Sequence, residues 1–341
     1  MFVLFFCVKL ADYCNTKTMN IIKKIYYPEI FLGRNKSKNY FEGWYFKNID
    51  KSASNALAVI AGVSICGGDS HAFVQTLDGR EHKTNYIRYG LNEFKFNENK
   101  FEIQIGKNYF SADQMNIEID AQSLCMRGAL TFENIISFPK TALRPGIMGP
   151  FSFIPFMECY HGIVNIQHNI KGSVITCDKT VDYTNGSGYI EKDWGRSFPK
   201  QWIWIEANNF NNTDATLMFS IAKIPWLGMS FKGFISFLRI GDDIYYFATY
   251  TNAKIKRLNI DNGHADIIIH DKDYIFEISA ENSSRGGLTA PENGSMKREI
   301  TESLSASVSV RLTDRRRGVI FNDCSKSAGM ETACDNSLCK G

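Results

Sequence analysis

Between Glu42 and Leu312 the chain is cut into short runs, roughly four to eight residues each, in which apolar and polar side chains alternate and Gly, Asn, Asp or Ser close each run. In FEIQI, Phe101, Ile103 and Ile105 take one side against Glu102 and Gln104, and the pieces between runs (SAS, GGDS, DG, NEN, GKN) are turn chemistry. Gly241-Asp242-Asp243 is a tight hairpin signal. A period of two sends successive side chains to opposite faces, and sheet edges need partners. About sixteen such strands, almost without helical period, therefore lead to an all-β protein of closed antiparallel barrels or sandwiches rather than a parallel sheet. An eight-stranded barrel holds one small apolar guest, and two barrels can share a pocket at their junction. An aromatic content of 13%, led by 25 Phe and 15 Tyr, suits such an interior.

The densest stretch is GYIEKDWGRSFPKQWIWIEANNF, Gly188 to Phe210, which holds Trp194, Trp202 and Trp204 with Glu191, Asp193 and Glu206. In an extended strand Trp202, Trp204, Glu206 and Asn208 share a face. FEGWYFKNIDKSASNALAVIAGVSI from Phe41 repeats the arrangement at a shift of 204 − 44 = 160 residues: Trp44 falls on Trp204, Asn48 on Asn208 and Leu57 on Leu217, and later Phe73 on Phe234 with a drift of one. The chain thus reads as two copies of one unit. Residues 1–26 are an N-terminal extension, 27–150 the first barrel, 151–187 connecting strands, 188–312 the second barrel and 313–341 a polar tail. The Gly/Pro-dense piece Gly146 to Pro155 is the expected crossing between units. Met19 offers a second translation start.

A net charge of +3 from 39 basic and 36 acidic residues, with its basic cluster at Arg315 to Arg317, gives no field for nucleic acid. Nine cysteines without a C-x-x-C pair argue for reduced thiols, no zinc site and a cytoplasmic protein. The apolar start MFVLFFCVKL is too short to span a bilayer and has no basic region before it. No phosphate loop or dinucleotide fingerprint is present, so no cofactor is expected.

The blocks YFEGWYFK (40 to 47), MECYHG (157 to 162), GYIEKDWGRSFPKQWIW (188 to 204), IAKIPWLG (221 to 228), GFI (233 to 235) and FATY (247 to 250) resemble the tocopherol cyclase family in its shorter bacterial branch. The resemblance covers roughly Tyr27 to Leu312. It implies two lipocalin-like antiparallel β-barrels packed together, related to carotenoid hydratases. It also implies a reaction in which a prenyl double bond of a quinol is protonated and the ring hydroxyl closes on the cation. Nothing in the residues selects a phytyl quinol. A lipid-like substrate would bring peripheral membrane contact to collect it; the residues leave the oligomeric state open.

Such chemistry needs a strong acid kept neutral until use and a cation shielded from water. A carboxyl against an indole in an apolar cavity meets the first need, and ring faces meet the second, at about 1–2 kcal/mol each when dry. The candidate acids, in order, are Asp193, Glu191, Glu206, then Glu42 and Glu158. Glu191 and Asp193 share one strand face and Lys192 and Trp194 the other; the same residues with Arg196 also read as a salt-bridge cluster, and Glu206 and Glu42 as buried structural carboxylates. His161 is the candidate base for the attacking hydroxyl, with Tyr160 and Glu158 near enough for a relay, although alternation sets His161 opposite them; a structural histidine is the plainer reading. Trp44, Trp194, Trp202, Trp204 and Trp226 with Glu42, Glu158, Tyr160 and Asn208 are the expected substrate wall, and each tryptophan also reads as core. Three functions follow: a cofactor-independent cyclase or isomerase, a hydratase in which water captures the cation, or a non-catalytic carrier of a lipophilic molecule.

Overall fold

The computed structural model describes residues 24–176, 179–226, 229–282, 284–334 and 338. The expected extension of residues 1–26 therefore lies, up to residue 23, outside the described residues, as does the side chain of Trp226. Strands β1 (Tyr40–Ile49), β2 (Ala56–Ile65), β3 (His71–Asp78), β4 (Thr84–Tyr89), β5 (Phe94–Phe96), β6 (Glu102–Ile105), β7 (Asn108–Ser111), β8 (Gln114–Ala121), β9 (Leu124–Ser137), β10 (Cys159–Thr176), β11 (Lys179–Asp182) and β12 (Gly186–Gly195) form one sheet. Strands β13 (Trp202–Ala207), β14 (Ala215–Trp226), β15 (Met229–Ile240), β16 (Asp243–Ala248), β17 (Lys254–Asp261), β18 (His264–His270), β19 (Tyr274–Glu281), β20 (Gly286–Glu292), β21 (Ser295–Asp314) and β22 (Gly318–Ala333) form another.

Both sheets are antiparallel and share one plan. The first runs β4-β3-β2-β1-β12-β10-β9-β8-β7-β6-β5 and the second β16-β15-β14-β13-β22-β21-β19-β18-β17, so each unit's opening strand sits mid-sheet between its second strand and its last. Each sheet curls around its own core into a lipocalin-like barrel, and the two barrels are an internal duplication packed together. Trp44, Phe46, Ile103, Phe110 and Met115 fill the first; Ile203, Ile205, Phe219, Ile267 and Phe276 fill the second. Burial of side chains such as Phe110 or Phe276 contributes about 2–3 kcal/mol each. The first sheet curls far enough that the hydroxyl of Tyr89, on edge strand β4, accepts from Asn108 Nδ2 of β7 at 3.0 Å. A third apolar cluster, including Tyr45, Trp202, Trp204, Met218, Phe237 and Leu304, lies between the barrels.

The segment before β1 plugs the first barrel. Phe31 packs on Phe94 and Phe96 with ring centroids 5.0 and 4.5 Å away, and Trp44 Nε1 donates to Glu29 O at 2.8 Å. Buried Lys192 donates to Pro28 O (2.6 Å) and Ile30 O (2.7 Å) and forms an ion pair with Glu42. Glu42 also accepts from the Tyr40 hydroxyl at 2.7 Å and from Leu32 N at 2.9 Å.

Four expectations need correction. β12 pairs with β1 and β10, so the connecting strands and the start of the expected second barrel belong to the first, and the crossing lies between Gly195 and Trp202. Gly146 to Pro155 joins β9 to β10 inside the first unit, as a loop with a 3-10 turn at Gly149–Phe153. The expected polar tail is largely β22, whose alternation of buried and exposed residues seals β13 against β21.

Finally, the two copies are out of step in their first strand. Tyr45 stands opposite Ile60 and Trp204 opposite Ser220: 60 + 160 = 220, but 45 + 159 = 204. Tyr45, not Trp44, is the counterpart of Trp204. A one-residue slip turns a strand's other face inward. Hence Trp44 points into its own barrel, where it stacks on Phe101 at 5.5 Å, and Trp204 points into the junction. Phe73 is likewise not the counterpart of Phe234, since Ala61 faces Val74 where Ile221 faces Phe234.

Candidate active site

Strand alternation decides which side chains reach the junction. Phe41, Gly43 and Tyr45 of β1, Glu191 and Asp193 of β12, Trp202 and Trp204 of β13 and Glu331 of β22 line one cavity of about 170 Å³. Cys159, Tyr160 and His161 of β10 close one end, with Met148 and Met157 from the preceding loop. Gly329 lets the Trp204 indole lie against β22: a Cβ there would stand 2.7 Å from Cζ3 of the ring.

His161 stands opposite Asp193 in the β10–β12 register and lies between two carboxylates, Nδ1 2.9 Å from Asp193 Oδ1 and Nε2 3.4 Å from Glu191 Oε2. The same Glu191 oxygen accepts from the Tyr189 hydroxyl at 2.6 Å and from Trp204 Nε1 at 3.1 Å. All three contacts fall on Oε2, which leaves Oε1 as the oxygen that can carry a proton without displacing them. Burial pushes the Glu191 carboxyl up, and the charge of His161 offsets this in part, leaving it at about 8. Burial alone would lower the imidazole; the charges of Glu191 and Asp193 outweigh it and lift His161 to about 9. Burial thus favours the protonated form of Glu191, and the neighbouring carboxyl groups favour the charged form of His161.

A second acidic pair faces the first. Glu331 Oε2 accepts from Trp202 Nε1 at 2.6 Å, and burial raises its carboxyl to about 7. Directly across the β21–β22 ladder Glu302, fully buried, accepts the Tyr45 hydroxyl at 2.5 Å; burial and the nearby Glu331 hold it well above the carboxylate range. Both acids lie in the part of the chain beyond the motif-bearing blocks. Glu331 falls in the supposed tail, where the run NDCSKSAGMETA carries no apolar/polar alternation that marks it as strand.

Of the residues singled out from the sequence, His161, Glu191, Asp193, Tyr160, Trp202 and Trp204 come together around this cavity. Trp194 and Glu158 line a neighbouring outer chamber of about 1160 Å³, which shares Met148, Met157, Tyr160 and His161 with the inner one. Trp194 stacks on Tyr160 there, ring centroids 5.5 Å apart. The supposed relay is not formed: the Tyr160 hydroxyl donates to Ile154 O at 2.9 Å, and Glu158 faces Arg196 at 3.7 Å. The supposed salt-bridge cluster resolves into Lys192 with Glu42 and Arg196 with Glu158, apart from His161 with Glu191 and Asp193. Glu42 and Trp44 belong to the first barrel's core, and Glu206 is held by Lys47. Asn208 is buried away from the cavity. The Cys159 thiol is pushed up by burial and by Asp193, which suits a packing role rather than a nucleophile. His161, Glu191 and Asp193 present ligand atoms within 4.8 Å of one another and are the set, among the described residues, able to hold a metal ion; their mutual bonding also accounts for the grouping without one.

Two curled antiparallel sheets with a buried carboxyl–imidazole cluster in the aromatic cavity between them define a lipocalin-like double-barrel protein. The chain belongs to the tocopherol cyclase-like family, whose family model matches residues 116–334. It is 24% identical over 82 residues to a probable chloroplastic tocopherol cyclase of Oryza sativa subsp. japonica, an alignment that takes in 24% of this chain and spans 17% of that relative's length. In fold it is similar to CghA, in the crystal structure with Sch210972 (TM-score 0.55, 9% identity, 86% of this chain and 88% of that one). It is similar also to a putative AttH from Nitrosomonas europaea (TM-score 0.53, 12% identity, 87% and 93%). Among the described residues no helix is long and apolar enough to cross a membrane.

Proposed function

We propose that this protein is an acid-catalysed cyclase of a prenylated quinol or similar lipophilic alkene, and that Glu191 delivers the proton. The observation that carries this is a carboxyl kept neutral by burial, set against Trp204 in an aromatic cavity. Transfer of the Glu191 proton to an alkene carbon leaves a tertiary cation facing Tyr45, Trp202 and Trp204, whose ring faces stabilise it by about 1–2 kcal/mol each. The carboxylate that forms is met by two donors already in place, the Tyr189 hydroxyl and Trp204 Nε1, and by the charge of His161, whose Nε2 lies 3.4 Å away without a hydrogen bond. Asp193 holds that imidazolium in position. Glu191 thus takes the role first given to Asp193, and His161 is a charge partner rather than a base.

Family membership supports the cyclase or hydratase class, and the outer chamber supports a lipophilic substrate. Phe156 (96% exposed), Met229 (76%) and Phe153 (44%) stand at its mouth among Lys36, Lys38 and Arg196, a combination suited to an anionic lipid surface.

Incubation with a geranyl-substituted methylhydroquinone in deuterium oxide tests the reading. A cyclase gives an isomeric chromanol with one deuterium on carbon; a hydratase gives a product heavier by one water. Binding of the quinol without any carbon-bound deuterium would make the protein a carrier.

A further inference from the structure

The reaction needs a second proton transfer, from the oxygen that captures the cation, and His161 in its charged form has no lone pair to accept it. Its Nδ1 faces Asp193 at 2.9 Å and its Nε2 faces Glu191 at 3.4 Å, and the imidazolium is retained to about pH 9. The opposite wall supplies an acceptor. In the register of β12 on β1, Glu191 stands across from Tyr45; in that of β22 on β13, Glu331 stands across from Trp204. Because Tyr45 and Trp204 are counterparts in the duplicated unit, one carboxyl has been set on each wall of the shared cavity. Trp202 Nε1 fixes Oε2 of Glu331 at 2.6 Å, which leaves Oε1 for a guest. Behind it Glu302 takes the Tyr45 hydroxyl on Oε1, while its buried Oε2 has no hydrogen-bond partner among the described residues, the condition of a carboxyl that carries its own proton. In this dyad Glu331 is therefore the member that ionises.

We propose that Glu331 is a second catalytic residue, the base that takes the proton from the hydroxyl oxygen attacking the cation. This rests on the acid-catalysed reading above. The balance is complete. The Glu191 O–H proton and the alkene π pair become a C–H bond, a hydroxyl lone pair forms the C–O bond, and the hydroxyl proton passes to Glu331. The substrate is isomerised, and exchange with solvent on product release resets both acids. The groups that set the ionisation of Glu331 come from four other strands: Trp202 of β13, Glu302 and Arg298 of β21, Asp193 of β12 and His161 of β10. Burial and Asp193 favour the protonated form; Trp202, His161 and Arg298 favour the carboxylate.

Two measurements on the full-length protein test this. With the geranyl methylhydroquinone, the wild-type pH–rate profile should rise through about pH 7 as Glu331 ionises. Glu331→Gln should lose that limb, with turnover down by about 100-fold or more and quinol binding within a few-fold of wild type. The second readout needs no turnover: 2-geranyl-4-nitrophenol bound at pH 7.5 should show less of the nitrophenolate band than it does in buffer, because the Glu331 carboxylate accepts the phenol proton in a hydrogen bond and repels a second negative charge. Glu331→Gln should bring the band back toward its buffer level, whereas Glu191→Gln should keep the deficit. Should the Gln variant fold poorly, Glu331→Asp is read the same way, with a smaller deficit expected. Recovery of the band in Glu331→Gln alone, in a protein that turns over no alkene, would leave Glu331 as the hydroxyl acceptor and remove the acid-donor reading. A Glu331→Gln variant that keeps both the rising limb and the deficit would overturn the assignment.

Discussion

Lys47 of the first barrel and Glu206 of the second meet across the junction, Nζ 2.5 Å from Oε2, with neither side chain exposed. Lys47 also reaches Glu206 O at 3.4 Å, so one ammonium ties together both the side chain and the backbone of β13. Loss of one partner strands the other charge in a dry interface, at about 3–5 kcal/mol, whereas replacing both by apolar residues removes the desolvation cost as well. Lys47→Met should thus lower stability by that amount, and Lys47→Met with Glu206→Met should recover most of it, as read by urea unfolding.

Glu191→Gln keeps shape and hydrogen bonding but removes the proton donor. Turnover should fall by about 10²–10⁴-fold with the quinol still bound, as measured by rates and by tryptophan fluorescence on binding. Unchanged turnover would return the role to another carboxyl.

Asp193→Asn tests the second half of the site. With one of its two neighbouring acidic groups gone, the imidazole of His161 should titrate below about 9, toward its ordinary 6.5. An NMR titration of the His161 ring follows this directly. A midpoint unmoved by the substitution would show that Asp193 does not hold the charge.

The raised groups also set a pH dependence of stability. Glu191 binds its proton more tightly folded (about 8) than unfolded (4.5), so its contribution is whole below 4.5 and is lost as pH climbs through 8. His161, raised from 6.5 to about 9, acts in the same direction over that higher window. The melting temperature should decline from pH 5 to pH 9, by on the order of a few kcal/mol of stability, and the decline should be shallower in Glu191→Gln. A melting temperature that rises over this range would contradict the assignment.

Gly329→Ala probes the indole wall without touching an acid. The added Cβ would stand 2.7 Å from Cζ3 and 2.8 Å from Cη2 of Trp204, so the ring must move and its Nε1 must leave Glu191. A stability loss of about 1–3 kcal/mol, a changed Trp emission and a larger fall in turnover than in binding are expected.

Much of this architecture could be read in advance, because strand alternation and turn chemistry are local. The two-copy plan, the pairing of Glu191 with Asp193 on one face and the indoles of Trp202 and Trp204 on another came from spacing alone. What failed was non-local. Glu42 and Glu206 look like Glu191 in sequence, yet each meets a lysine from another strand (Lys192 and Lys47), and only the fold brings those partners together. Glu331 was hidden because Gly, Ser and Cys dilute β22 until it reads as tail. Trp44 was misplaced because a 160-residue shift holds for β2 and β14 but slips by one in β1 and β13, and no local pattern records a slip.

That slip gives the twin units different duties. In the first, the tryptophan is sealed in a filled barrel and helps hold the plug; in the second, the tryptophan is turned outward and forms a wall of the junction cavity. A single-residue change in phase was enough to divide the labour between scaffold and workshop, and the workshop walls can be redecorated to suit a new guest without disturbing either barrel's interior.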